Sequence, residues 1–286
     1  LTHTSTPLGS PLRVGGVSHL SSTKMGKMGM EKEDELTRNQ AKQQMLRGKP
    51  AIGAEVGLGS VMAAEMLAPL GYDYVLVDNQ HGAWWDENTL YAFRSIVLGN
   101  TVPMARVRNN DFGLIGRLLD MGALGIVVPM VNSVDEAEAA ANAVRFPPRG
   151  GRSGGPFGAG IHGHDYMDWI DDEVFLAVQI ESARAAEHAE EIMAVDGVDG
   201  CWIGPFDLSK SMDIDLETEV GRARHEAAII GIIEATQRAG KIPGISAPDS
   251  ERAKFWIDHG CLFVTAGADV SWMMEGAEEA LRDLER

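Results

Sequence analysis

From about residue 50 to the C-terminus, short apolar runs alternate with longer segments whose apolar residues recur at helical spacing. That alternation restricts the chain to repeated βα units around a parallel sheet. The strand runs lie at 51–57, 72–77, 102–107, 125–129, 175–180, 200–203, 242–245 and 262–266. The helical patterns lie at 60–70, 87–98, 112–121, 134–146, 183–194, 219–239, 250–259 and 271–284. Eight such units in about 235 residues have the size of a closed (β/α)8 TIM barrel, which we expect in preference to an open, doubly wound α/β sheet. Periodicity does not itself establish closure.

The remaining sequence bounds the partners. Residues 1 to about 30 lack Asp and Glu, are rich in Ser, Thr, Gly and Pro, and carry Arg13, Lys24 and Lys27. We read residues 1–40 as a flexible arm, with an organelle-targeting leader as an alternative, and residues 41–286 as one barrel domain. A net charge of −17 opposes a broad basic face, so nucleic acid and anionic membrane surfaces are poor partners. Every hydrophobic run is cut by Gly, Pro or charge before the roughly 20 residues a bilayer requires. Cys201 and Cys261 each lie in an apolar run and read as packed thiols of a reducing compartment, consistent with a cytoplasmic protein.

In a barrel, chemistry collects at the C-terminal ends of the strands. There the second run ends in Asp78-Asn79-Gln80-His81, the third in Arg106 with Arg108, the fifth in Glu181 and the sixth in Gly204-Pro205-Phe206-Asp207. Glu181 and Asp207, on consecutive strand ends, supply hard oxygen ligands suited to magnesium, manganese or cobalt. Either acid alone could equally be a helix-start residue. Arg106 could reach an oxygen held by that metal, and the pair would stabilise negative charge developing on the carbonyl oxygen of a 2-oxo acid. His81, three residues after Asp78, could be oriented by that carboxylate for acid–base work near neutral pH. Trp84 and Trp85 either shape an acceptor pocket at the mouth or cover a core edge. A long connection from 147 to 172 holds seven glycines and Tyr166, which could reach substrate.

Seven segments in order resemble the HpcH/HpaI class II pyruvate aldolases: YVLVDNQH (74–81), MARVR (104–108), LLDMGA (118–123), VPMV (128–131), RFPPRGGR (145–152), VQIE (178–181) and GVDGCWIGPFDLS (197–209). The resemblance covers nearly all of residues 41–286. It implies that Glu181 and Asp207 hold a divalent metal chelated by pyruvate, that Arg106 contacts the keto or enolate oxygen, and that Asp78 and His81 form an acid–base dyad. The backbone near Phe206 would grip the pyruvate carboxylate, with Gln179, Gly204 and Trp84 as further substrate-binding candidates. Asp120 matches a family carboxylate near the site between subunits. The family forms hexamers that exchange a C-terminal helix, which implies that residues 271–284 pack on another chain. One departure is Gln80, which stands where many relatives carry Glu.

The implied reaction is reversible cleavage of a 4-hydroxy-2-oxo acid to pyruvate and an aldehyde. Oxaloacetate decarboxylation and macrophomate-synthase-like bond formation pass through the same enolate. An acyl-CoA lyase of the citrate-lyase type would want a basic surface that this sequence lacks. A barrel retained only for binding is the alternative outside catalysis, motivated by Gln80. No lysine lies at a strand end, which disfavours a Schiff-base aldolase.

Overall fold

The computed structural model describes residues 39–284. Eight parallel strands close in chain order into a barrel, with β8 pairing back onto β1, so the open sheet is excluded. The strands are β1 (Ala51–Val56), β2 (Tyr74–Asp78), β3 (Val102–Arg106), β4 (Gly125–Val128), β5 (Phe175–Ile180), β6 (Gly200–Ile203), β7 (Gly244–Ala247) and β8 (Phe263–Ala268). The helices that follow the strands begin where the sequence offers caps. Ser60, Asp111, Ser133, Ser182, Thr218 and Asp249 each accept a backbone N–H three residues on.

Among the described residues the helices are α1 (Gln40–Leu46), α2 (Val61–Leu67), α3 (Asp86–Leu98), α4 (Phe112–Met121), α5 (Val134–Val144), α6 (Tyr166–Glu173), α7 (Ala183–Glu187) and α8 (Ala189–Met193). They continue with α9 (Pro205–Ser211), α10 (Glu219–Arg238), α11 (Ser250–Asp258) and α12 (Asp269–Asp283). None is long and apolar enough to cross a membrane.

Several expected boundaries move for physical reasons. Residues 1–38 of the expected arm lie outside the described residues, but Asn39 and Gln40 do not belong to an arm. Asn39 is buried, caps α1, and donates to the carbonyls of Leu124 and Glu173. The seventh strand starts at Gly244 rather than 242, because Pro243 has no N–H for the ladder; Ile242 keeps only an isolated bridge to Gly200. The expected helix over 183–194 divides at His188. The long connection is not structureless: it contains a short 3₁₀ turn (Ala159–His162) and α6.

Which strand residues face inward follows from the barrel's filling. Tyr74 and Phe175 both pack on Phe263, with ring centroids 4.7 and 4.9 Å apart, each pair worth about 0.5–1.5 kcal/mol beyond its burial. Gly53 leaves room for them, since a Cβ there would lie 2.1 Å from the Tyr74 ring. Strand side chains alternate with period two, so the same inward faces of β1, β2 and β5 present Glu55 two residues past Gly53, and Asp78 and Gln179 four residues past Tyr74 and Phe175, toward the C-terminal mouth. The sheet thereby brings polar groups from separate strands together above an apolar plug.

Candidate active site

Asp78 and Arg106 face each other in the β2–β3 register. Arg106 donates from Nε to Asp78 Oδ1 (2.8 Å) and from Nη2 to Oδ2 (2.7 Å), a bidentate fork with both side chains buried. Burial opposes the guanidinium's charge, but the hydrogen bond and charge of Asp78, with the charges of Glu55 and Glu181, together outweigh it and raise its pKa further. The ring of Trp202 on β6 lies 5.0 Å from the guanidinium carbon. Trp202 is held in turn by its indole N–H to Thr265 Oγ1 (3.2 Å), which also contacts Tyr74 Oη (3.1 Å).

Glu181, just past β5, accepts the Met130 backbone N–H on Oε1 (2.8 Å) and the Gln179 amide on Oε2 (2.5 Å). Met130 has φ 56°, a left-handed conformation that is uncommon for a non-glycine residue. Burial raises the Glu181 carboxyl to about 7; the Met130 N–H opposes the rise, Asp207 adds to it by charge and by hydrogen bond, and Arg106 opposes it. Glu181 and Asp207 are therefore mutually repelling neighbours, with Arg106 within electrostatic reach. Gly204, the residue before α9, makes the approach possible: a Cβ there would fall 2.7 Å from Glu181 Oε2 and 2.8 Å from Gln179 Nε2.

This donor set fits a hard divalent cation. Two adjacent carboxylates relieve their repulsion by sharing one, and the buried Gln179 Oε1 has no hydrogen-bond partner among the described residues. No group of three or more His, Cys, Asp or Glu side chains converges for metal among the described residues. Magnesium commonly uses one or two carboxylates and takes its remaining oxygens from water and substrate.

Other candidates fall elsewhere. His81 is exposed, and Asp78 does not orient its ring: Asp78 Oδ1 accepts the backbone N–H groups of Gln80 (3.0 Å) and His81 (3.4 Å), fixing the turn that carries the histidine. Trp84 is 1% exposed and donates its indole N–H to Val56 O (2.8 Å), so it braces the end of β1, whereas Trp85 is 70% exposed with Arg108 over its ring. Phe206 is 69% exposed in the first turn of α9. Asp120, near the C-terminal end of α4, pairs with buried Arg152 (2.8 Å) rather than with this cluster. Tyr166 is buried, its hydroxyl contacting Arg152 and Leu119 O, so it packs the long connection. A cavity of about 370 Å³ at the Trp84–Trp85 edge touches Asn79 and Val107 just past β2 and β3, but is lined by none of Asp78, Arg106, Glu181 or Asp207.

Two members of the cluster escape sequence reasoning. Trp202 reads as an apolar strand residue. Glu55 lies 3.5 Å from Arg106 Nη2; burial, opposed by Arg106 and reinforced by Asp78 and Asp269, raises its carboxyl to about 7. The available signal was a lone acid inside the apolar run 51–57.

The chain was then compared with known proteins. The HpcH/HpaI aldolase/citrate lyase model matches residues 56–275. A hydroxypyruvate/pyruvate aldolase of Delftia acidovorans is 36% identical over 247 residues, covering 85% of this chain and 91% of the relative. A 4-hydroxy-2-oxo-heptane-1,7-dioate aldolase of Klebsiella pneumoniae is also 36% identical over 247 residues, covering 84% and 91%. The crystal structure of an HpcH/HpaI family protein from Burkholderia cenocepacia superposes with a TM-score of 0.78 at 31% identity, covering 87% of this chain and all of that one. The family model runs from the last residue of β1, one residue beyond Glu55, into α12, and on it and on these relatives the chain belongs to the HpcH/HpaI aldolase/citrate lyase family.

Proposed function

We propose that the protein is a divalent-metal-dependent aldolase that reversibly cleaves a 4-hydroxy-2-oxo acid to pyruvate and an aldehyde. The observation that carries this reading is the meeting of an Asp78-anchored Arg106 with the Glu181–Asp207 pair at one end of the barrel. Family relatives named as aldolases support the reaction class.

Glu181 and Asp207 would hold the cation, magnesium, manganese or cobalt, which when bound supplies Lewis-acid polarisation of the substrate's keto group. Arg106, whose Nε and Nη2 are taken up by Asp78, would offer Nη1 to the same oxygen. When the bond between C3 and C4 breaks, its electron pair moves toward the keto group, and the positive charge of Arg106 stabilises the resulting enolate oxygen. Asp78 keeps the guanidinium fixed in one plane, so it need not reorganise as charge develops. His81, exposed at the mouth, is the group for taking the C4 hydroxyl proton, directly or through water. Gln179 orients Glu181, Gly204 leaves it room, and the backbone at Phe206 is the site for the substrate carboxylate. Trp84 acts only through the end of β1. Lys210 lies in α9 with its ammonium 5.4 Å from the Phe206 ring centroid, beyond the strand end that a Schiff-base lysine would occupy.

The same reading includes assembly of several copies. In α12 only Asp269 is buried, while Val270, Met273, Met274 and Leu281 are exposed, which suits packing on another chain. Asp120 would then act across a subunit boundary.

The test is methyl-proton exchange of pyruvate in deuterated water, followed by NMR with magnesium, manganese or cobalt, alongside cleavage assays with an aldehyde panel. Metal-dependent exchange and aldol product are expected. No exchange with any of the three metals would overturn the reading.

A further inference from the structure

Glu55 faces the barrel interior, because Gly53 on the same face of β1 meets the Tyr74 ring and side chains return to that face every second residue. Its Oε1 stands 3.5 Å from Arg106 Nη2, and its side chain is 17% exposed, against 3% for Asp78. The two carboxylates around the arginine differ in what they can still accept. Asp78 already receives the Arg106 Nε and Nη2 groups and the N–H groups of Gln80 and His81. Glu55 is at ion-pair distance from Arg106, keeps acceptor capacity, and opens toward the mouth.

A second acid lies on the same side of the mouth and holds the Glu55 carboxyl up. Asp269, at the start of α12, accepts the N–H groups of Gly57, Leu58 and Val270, and its charge acts on Glu55. The β1 side of the mouth is therefore anionic, facing the Glu181–Asp207 side across Arg106. A substrate held at its keto oxygen by Arg106 keeps the reacting carbons within reach of Glu55.

We propose that Glu55 sets the acceptor specificity of the aldolase reading, on which this inference rests: its carboxylate accepts a hydrogen bond from a hydroxyl carried by the aldehyde and repels aldehydes that carry a carboxylate. An unpaired like charge is an effective way to reject a competitor, and a hydrogen-bonding wall favours the partner that satisfies it. Glu55→Gln removes the charge but keeps the shape and an acceptor. Glu55→Leu removes both.

The experiment uses the full chain with saturating magnesium and pyruvate at about pH 8.5, where the raised Glu55 carboxyl is ionised, and measures kcat/KM for glycolaldehyde, glyoxylate and propionaldehyde. Glycolaldehyde and glyoxylate are matched in length but differ in charge. Their ratio within each protein cancels differences in folded fraction and in Arg106 positioning. Glu55→Gln should lower the glycolaldehyde-to-glyoxylate ratio about tenfold, and Glu55→Leu should also lower the glycolaldehyde-to-propionaldehyde ratio. A glycolaldehyde-to-glyoxylate ratio that moves less than about threefold in Glu55→Gln overturns the proposal. Because that variant is isosteric, it decides the matter even if Glu55→Leu does not fold. If the unmodified protein exchanges no pyruvate protons with any of the three metals, the aldolase reading and this proposal fall together; exchange with an unmoved ratio overturns the proposal alone.

Discussion

Asp78 grips Arg106 through two hydrogen bonds of 2.8 and 2.7 Å between neighbouring strands in register, and the guanidinium so held lies above Trp202 and within electrostatic reach of Glu181. The pair therefore aims a permanent positive charge rather than closing a surface ion pair. Exposed ion pairs contribute little to stability, whereas a buried, bidentate pair is costly to break from one side.

Two variants separate these roles. Arg106→Lys keeps the charge but loses the planar fork, and should reduce turnover by about 10²–10³-fold with metal binding retained. Asp78→Asn leaves the arginine without its counter-charge and should destabilise the fold by about 3–5 kcal/mol. Urea unfolding and steady-state kinetics measure the two effects; wild-type turnover in Arg106→Lys would remove the arginine from the reaction.

Gly204 gives a test of the proposed metal site that leaves both carboxylates in place. Gly204→Ala would put a methyl group against Glu181 Oε2 and Gln179 Nε2, so one of them must move. Metal affinity, read by calorimetry, should fall markedly, with an overpacking cost of about 1–3 kcal/mol in the metal-free protein. Glu181→Gln and Asp207→Asn should weaken metal further while relieving the repulsion between the two acids. Unchanged affinity in all three variants would remove the metal from these residues.

The barrel was legible because eight apolar runs alternate with helical patterns, and the meeting of Glu181 with Asp207 because both follow neighbouring runs closely. Partner choice was not legible. Asp78 and His81 are three residues apart in sequence, yet the carboxylate is taken by Arg106 on the next strand and by two backbone N–H groups, a preference that only the β2–β3 register decides. Trp84 and Trp85 are neighbours with opposite fates for a similar reason: the turn after β2 sends one indole to Val56 O and leaves the other in solvent. Glu55 escaped because an acid in an apolar run shows its partner only when the barrel closes.

Glu55 should also leave a signature in the pH dependence of stability. Its carboxyl is raised from 4.5 to about 7, chiefly by burial, with Arg106 opposing and Asp78 and Asp269 adding to the rise. The folded state thus binds this proton more tightly than the unfolded chain does. The associated stabilisation is complete below the unfolded pKa and is lost as pH rises through the folded one, at most at about 1.4 kcal/mol per pH unit. Glu55→Gln cannot titrate, so relative to wild type it should gain stability between pH 5 and pH 7.5. A stability difference that is the same at both values, measured by urea unfolding, would contradict the shifted carboxyl.

Cys201 and Cys261 are buried, and burial pushes both thiols above their ordinary range; Thr236 Oγ1 donates to Cys201 Sγ at 3.3 Å. Neither has the exposed, electropositive surroundings of a reactive thiol. Native protein at pH 8 should therefore resist a thiol-specific reagent, and both cysteines should be modified once urea unfolds the chain. Rapid labelling of the native protein would show that the barrel wall opens at β6 or just ahead of β8.

His81 separates proton transfer from enolate stabilisation. Asp78 holds its backbone rather than its ring, so the imidazole is free to meet a substrate hydroxyl or a bound water at the mouth, and Gln80 beside it does not titrate. His81→Ala should lower aldol cleavage by about 10²–10⁴-fold, the range for a general acid–base group. Oxaloacetate decarboxylation should suffer less, because loss of carbon dioxide forms the enolate without removal of a hydroxyl proton and Arg106 still faces the developing charge. Asp78→Asn should behave differently: with Arg106 loosened, both reactions should fall together. Assaying the two variants in both reactions therefore assigns each residue, and an equal loss of cleavage and decarboxylation in His81→Ala, with pyruvate still bound, would make the histidine an organiser of the site rather than its proton carrier.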